Sequence, residues 1–199
     1  MKISEINNVC YIGAGSMGCY NSLLSALVGY NVALYDLSQE TLDQVTARQR
    51  EIGATIVAAG LCLQEHIDQA LTRVTLHSEL ESIVDNVDLV SESITEQLDL
   101  KRDAHAYLDG IFPPHTIITT NTSALLVSEI EDALTRGDKF AALHSHLGSK
   151  LVDIVAGPRT SEETIDILQR YVISLNCVPL VSQKENPGYI FNAMFGPLL

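Results

Sequence analysis

An α/β fold built on a doubly wound, mostly parallel sheet is what this sequence predicts, and three observations predict it. Short apolar runs alternate with helical stretches along the chain, the pattern of strands buried on both faces and joined by crossover helices. The first run, Val9-Cys-Tyr-Ile12, passes straight into Gly13-Ala-Gly-Ser-Met-Gly18, a Gly-x-Gly-x-x-Gly turn. The second run, Asn31-Val-Ala-Leu-Tyr35, ends on an acid, Asp36. The turn and the acid together are the fingerprint of a Rossmann-type βαβ unit that binds a dinucleotide.

Each part of that unit has a physical reason. Gly13 permits a tight reversal at the strand end, Gly15 lets a diphosphate approach the backbone, and Gly18 lets the next helix pack close. Ser16 to Val28 carries Met17, Tyr20, Leu24, Leu27 and Val28 at helical spacing, with Gly29 as the stop. The free N–H groups and positive dipole of that helix face an anion. The Asp36 carboxylate suits an adenosine ribose and repels a 2′-phosphate, and Leu37, Ser38 and Gln39 bring no cation to attract one. NAD is therefore expected, held by Gly13, Ala14, Gly15, Ser16, Met17, Gly18 and Asp36. The competing readings are structural: a glycine turn that holds nothing, and Asp36 as a helix cap.

Further along, the spacing predicts a helix from Ser38 towards Gly60 and another over Gln64–Thr72, a helical excursion before the strand Val74–His77. A short helix over Glu79–Val84 and a strand Val87–Val90 come next. A helix Leu98–Leu108 leads to a strand Thr116–Thr119, and a helix Leu126–Leu134 to a strand Phe140–Leu143. The strand Leu151–Val155, the helix Ser161–Leu175 and the strand Val178–Val181 complete the sheet. Residues 1–185 thus read as one dinucleotide-binding domain. From Asn186-Pro-Gly188 a very apolar helix begins, and 186–199 is expected to open a helical domain that is otherwise absent, packed on a missing domain or partner, the competing reading being that it folds back on the sheet.

Bulk properties exclude other classes. The 199 residues are 46% hydrophobic with a net charge of −13, which argues against nucleic acid and anionic membrane surfaces as partners. No apolar stretch reaches membrane-spanning length, and Met1-Lys-Ile-Ser-Glu-Ile6 lacks a secretory apolar segment. Cys10, Cys19, Cys62 and Cys177 have no metal-ligand spacing, so a reduced, cytoplasmic protein without a metal site is expected.

Four segments fall where strands end at the carboxyl edge of the sheet: Ser91-Glu-Ser-Ile-Thr-Glu96-Gln-Leu-Asp-Leu-Lys101, Thr120-Asn-Thr-Ser123, Phe140-Ala-Ala-Leu-His144 and Leu151-Val-Asp153. With Gly13–Gly18 and Asn186-Pro-Gly-Tyr-Ile-Phe-Asn192, they resemble the L-3-hydroxyacyl-CoA dehydrogenase family of fatty acid metabolism from Val9 to the carboxyl end. The resemblance implies NAD-dependent oxidation of a 3-hydroxyl to a ketone, reversibly, in a full-length homodimer whose helical second domain closes the cleft. It implies His144 as general base, with Asp153, where the family has a glutamate, orienting that imidazole. Ser123 and Asn192 would meet the substrate oxygen, and Glu96, Lys101 and Asn121 would lie by the cofactor.

Two departures bear on substrate. The loop Ser145-His-Leu-Gly-Ser-Lys150 is shorter than the family's, places Leu147 where an asparagine is usual, and adds a second histidine, His146. The excursion over 46–76 carries only Arg48, Arg50 and Arg73 as cations, few for a CoA phosphate. A free 3-hydroxy acid, as in relatives acting on carnitine or gulonate, stays open as the substrate, as does an NAD-binding protein without turnover. Residue by residue, the competing readings are a core histidine at His144, a turn or cap at Ser123, and a solvated pair at Glu96 and Lys101. His66, His77, His105 and His115 read as surface residues.

Overall fold

The computed structural model describes residues 5–182, 184–190 and 192. Eight strands form one sheet: β1 (Asn8–Ile12), β2 (Asn31–Tyr35), β3 (Val74–His77), β4 (Leu89–Glu92), β5 (Ile117–Thr120), β6 (Phe140–Ser145), β7 (Leu151–Ala156) and β8 (Val178–Ser182). Their order is β3-β2-β1-β4-β5-β6-β7-β8. The chain thus runs outward one way from β1 and the other way from β4, leaving a switch point between those two strands. That is where open α/β sheets bind nucleotides. The first six strands pair in parallel, while β7 runs antiparallel to β6 and β8 parallel to β7.

The reversal at β7 has a simple cause. A parallel return needs a crossover of a dozen or more residues, and only residues 146–150 separate β6 from β7. The expected run of parallel strands therefore ends in a hairpin. The other revisions are small. The helix expected over Glu79–Val84 is a turn followed by a 3₁₀ turn at Val84–Asn86, and the helix expected over Leu126–Leu134 is one short segment, α5 (Val127–Glu131). The remaining helices lie close to expectation: α1 (Ser16–Leu27), α2 (Gln39–Ala58), α3 (Gln64–Leu71), α4 (Leu98–Ile111) and α6 (Glu162–Ser174). Ser38 and Ser161 cap α2 and α6, accepting from the Thr41 and Thr164 amides.

Strand side chains alternate between two cores. Val9 and Tyr11 face one, with Leu23 of α1, Leu42 and Val45 of α2 and Leu168 of α6; Cys10 and Ile12 face the other, with Leu108 of α4 and Ile130 of α5. Burial on both faces is why these strands read as unbroken apolar runs. Hydroxyls inside the first core satisfy one another: the Tyr11, Ser25 and Tyr171 oxygens lie 2.6–3.0 Å apart, and Tyr30 bonds Ser174 at 2.7 Å.

Most of the apolar helix expected over 186–199 lies outside the described residues. Its first part folds back on the sheet. Tyr189 is 1% exposed, belongs to the second core and donates its hydroxyl to the Leu125 carbonyl at 2.7 Å. No helix among the described residues is long and apolar enough to cross a membrane.

Candidate active site

The site grows from the carboxyl ends of β1, β4, β5 and β6. Gly13 leaves β1 at φ +98°, its amide bonded to the Tyr35 carbonyl at 2.8 Å. A side chain is excluded there twice, since a Cβ would sit 2.8 Å from the Ser93 carbonyl oxygen. At Gly18 a Cβ would stand 1.8 Å from the Gly13 carbonyl oxygen, so helix and strand touch backbone to backbone. Gly15 differs from both. A Cβ there meets nothing within 4 Å, so its lack of a side chain keeps open the space before the α1 N-terminus. No acidic residue occupies the first turn of α1, leaving its amides and dipole to an anion.

Asp36 turns back over this loop. Its carboxylate accepts from the Ala14 amide at 2.8 Å and the Ser38 amide at 2.9 Å. Two N–H groups fix the acid at the end of β2 and leave lone pairs on both oxygens for a ribose. Arg48 of α2 reaches the Ala14 carbonyl at 3.5 Å, a cation beside the glycine turn that sequence spacing did not assign there. The residues present fit a dinucleotide: an open cradle of amides, an uncapped dipole and an anchored carboxylate.

On the other side of the switch point, Glu96 builds the loop that carries Ser123. Its Oε1 accepts from the Thr122 hydroxyl and from the Ser123 and Ala124 amides at 2.8 and 3.2 Å. Partial burial pushes this carboxyl up, but those donors and the Lys101 ammonium outweigh it and hold it below its ordinary value. Asn121 ties the same loop to β6, its Oδ1 accepting from the Ser145 amide at 2.9 Å. The Asn192 side-chain Nδ2 donates to the Ser123 backbone carbonyl at 3.3 Å, so the two residues expected at the substrate oxygen are neighbours.

Lys101 does not line the crevice. It is 1% exposed, with Nζ 2.6 Å from Glu92 Oε1 and 3.4 Å from Glu96 Oε2. It is not one half of a solvated pair. It joins a buried acid to the acid that shapes the Ser123 loop. Glu92 is fully buried, its second oxygen accepting from the Thr120 hydroxyl at 2.7 Å. His105 completes this interior cluster: Nδ1 lies 2.7 Å from the Lys101 carbonyl oxygen and Nε2 3.7 Å from Glu92 Oε2. The reading of His105 as a surface residue is therefore overturned, since it is 0% exposed. Sequence reasoning missed it because α4 buries Lys101, His105 and Leu108 on one stripe, and two polar members of a stripe read as solvent-facing. Burial lowers the His105 pKa below its ordinary value.

His144 stands near the end of β6, directly opposite Asp153 in the antiparallel register. Nδ1 lies 3.2 Å from Asp153 Oδ2, and the pair is 4% and 0% exposed. Direct opposition lets the short aspartate side chain reach the imidazole across the ladder. Tyr189 packs edge-on against the His144 ring, centroids 5.6 Å apart. His146 packs edge-on against the same ring, centroids 4.1 Å apart, with Nε2 3.7 Å from Asp153 Oδ2. Burial and the neighbouring His144 lower the His146 pKa. His144 is therefore the histidine that holds the shorter bond to the carboxylate. Leu147 is 57% exposed at the hairpin tip.

Fold and site together define a dinucleotide-binding α/β domain with a histidine–carboxylate pair at the carboxyl edge of its sheet. Residues 8–186 match the family described as "3-hydroxyacyl-CoA dehydrogenase, NAD binding domain", and the chain belongs to that family. It is 32% identical over 202 residues to the mitochondrial hydroxyacyl-coenzyme A dehydrogenase of Homo sapiens, covering 98% of this chain and 64% of that protein. A solved diketoreductase shares 30% identity and a TM-score of 0.92 over 98% of this chain and 71% of its own. The (S)-3-hydroxybutyryl-CoA dehydrogenase of Ralstonia eutropha shares 26% identity and a TM-score of 0.90 over 97% and 69%. The chain therefore spans about two thirds of these proteins.

Proposed function

We propose that this chain supplies the cofactor crevice and the proton-transfer pair of an NAD-dependent dehydrogenase that interconverts the 3-hydroxyl of a 3-hydroxyacyl-CoA and the corresponding ketone. The observation that carries this reading is the His144–Asp153 pair, 3.2 Å apart at the same sheet edge as the Gly13–Gly18 turn. NAD, when bound, supplies the hydride acceptor. The amides after Gly15 and the Asp36 carboxylate hold it; Glu96 shapes the loop beside it. His144 takes the hydroxyl proton on Nε2 during oxidation and returns it during reduction. Asp153 accepts from Nδ1–H, which fixes the tautomer that leaves Nε2 basic and stabilises the imidazolium. Ser123 and Asn192, side by side, orient the substrate oxygen.

A second reading keeps the chemistry and replaces the thioester with a free 3-hydroxy acid. The likeness to a diketoreductase and the sparse cations of α2 and α3 favour it. The homodimer implied by the family and a cytoplasmic location belong to the same proposal; sedimentation and fractionation address them. The test is direct. NADH fluorescence on this chain should report binding, and acetoacetyl-CoA, acetoacetate and dehydrocarnitine should be compared as substrates. Turnover that falls about 10²–10⁴-fold in His144→Ala with NADH affinity intact supports the base assignment. NADH binding with no turnover of any substrate by the full-length gene product, and no effect of His144→Ala, favours the non-catalytic reading.

A further inference from the structure

The β6–β7 hairpin gathers more than a base and its carboxylate. His146 is the first residue beyond β6, and its ring packs against that of His144 with centroids 4.1 Å apart. Asp153 faces His144 across the ladder. All three therefore leave the hairpin on one side. One ligand atom from each lies within 4.8 Å of the other two, and no other trio of His, Cys, Asp or Glu among the described residues does this.

The spacing suits a small tetrahedral cation. Metal–ligand bonds of about 2.0–2.1 Å set neighbouring donors roughly 3.3 Å apart. Two of the three edges are close to that already: Asp153 Oδ2 lies 3.2 Å from His144 Nδ1 and 3.7 Å from His146 Nε2. Closing the third requires a modest turn of the imidazoles, whose rings already cross at 67°. Two imidazoles and one carboxylate are the donors of zinc sites with an open fourth position, whereas calcium and magnesium take sets of oxygens. His146 keeps 18% of its side chain exposed, so the cluster lies just beneath the surface.

We propose that His144, His146 and Asp153 form a Zn²⁺ site, and that zinc bound there switches off proton transfer at His144. The second half rests on the reading of His144 as the base. Zinc takes the lone pair of Nδ1. The single proton of the neutral imidazole then resides on Nε2, the atom that must be free to accept the substrate proton. Asp153 exchanges its hydrogen bond for a metal bond. No group is oxidised or reduced. His146 supplies what a histidine–carboxylate pair alone lacks, a third donor.

Cobalt and zinc titrations of the whole chain test this. Co²⁺ should give the visible bands of a four-coordinate ion with one equivalent per chain, and Zn²⁺ should bleach them. His146→Phe and Asp153→Asn should each weaken binding about 10–100-fold, while NADH affinity at the glycine turn shows that both variants are folded. Zn²⁺ should suppress turnover in the parent chain, EDTA should restore it, and His146→Phe should resist the metal. No stoichiometric ion on the parent chain, or equal binding by His146→Phe, overturns the site. Bound zinc with undiminished turnover overturns the switch. A metal-free full-length protein that turns over nothing refutes the base and the switch together, and the ion count alone then decides the site.

Discussion

His144 and Asp153 occupy the same rung of the β6–β7 ladder, and their side chains meet at 3.2 Å with the carboxylate fully buried. The rung positions the acid, so its chemistry can be changed without moving the backbone. Asp153→Asn is expected to lower kcat about 10²–10⁴-fold, because an amide can hold the imidazole in the wrong tautomer. NADH affinity should not change. Steady-state turnover and a fluorescence titration on the same preparation check both halves.

The three glycines of the turn should separate into two behaviours. Gly18→Ala places a methyl 1.8 Å from a backbone oxygen, so the crossover cannot close and the chain should fail to fold by circular dichroism. Gly15→Ala meets no protein atom within 4 Å. It should melt like the parent, yet bind NADH about tenfold or more weakly, because its methyl enters the space a diphosphate needs. Loss of folding in Gly15→Ala would contradict the open cradle.

Removing Lys101 should be costly. Lys101→Met leaves Glu92 buried with its closest cation gone, a change of about 3–5 kcal/mol in unfolding free energy. Pairing it with Glu92→Gln should recover part of that loss, since no buried charge then lacks a counterion. Urea unfolding of the two single variants and the double variant measures the coupling.

Acid should expose His105. Burial lowers its pKa from the ordinary 6.5, with Glu92 and Lys101 beside it and the Phe140 ring 5.1 Å away. As pH falls through 6.5, the unfolded chain takes a proton that the folded chain still refuses. Stability therefore drops, by at most about 1.4 kcal/mol per pH unit from this group. Urea midpoints at pH 7.5 and 5.5 should differ less in His105→Gln than in the parent: the variant should show the smaller acid loss.

Much of the molecule was legible in the sequence because its signals are local. The glycine turn, the acid ending β2 and the serine caps of α2 and α6 each declare themselves within a few residues. The cofactor side of the site followed from them. What stayed hidden depends on contacts distant in sequence. The apolar run of β4 stops at Val90, yet the strand continues to Glu92, because Lys101 and Thr120 neutralise that carboxylate in the interior. His105 was misplaced for the same reason. The direction of β7 was missed because an apolar strand reads alike whichever way it runs; only the shortness of residues 146–150 hints at a hairpin. His146 was seen as a departure, but its place beside Asp153 required the ladder.

That ladder ties the fate of three side chains to a single alignment. Shift one strand past the other by one residue and Asp153 turns to the surface opposite the two histidines. A lineage can therefore retune this corner by exchanging individual side chains, but an insertion or deletion in the five-residue connection would erase it in one step.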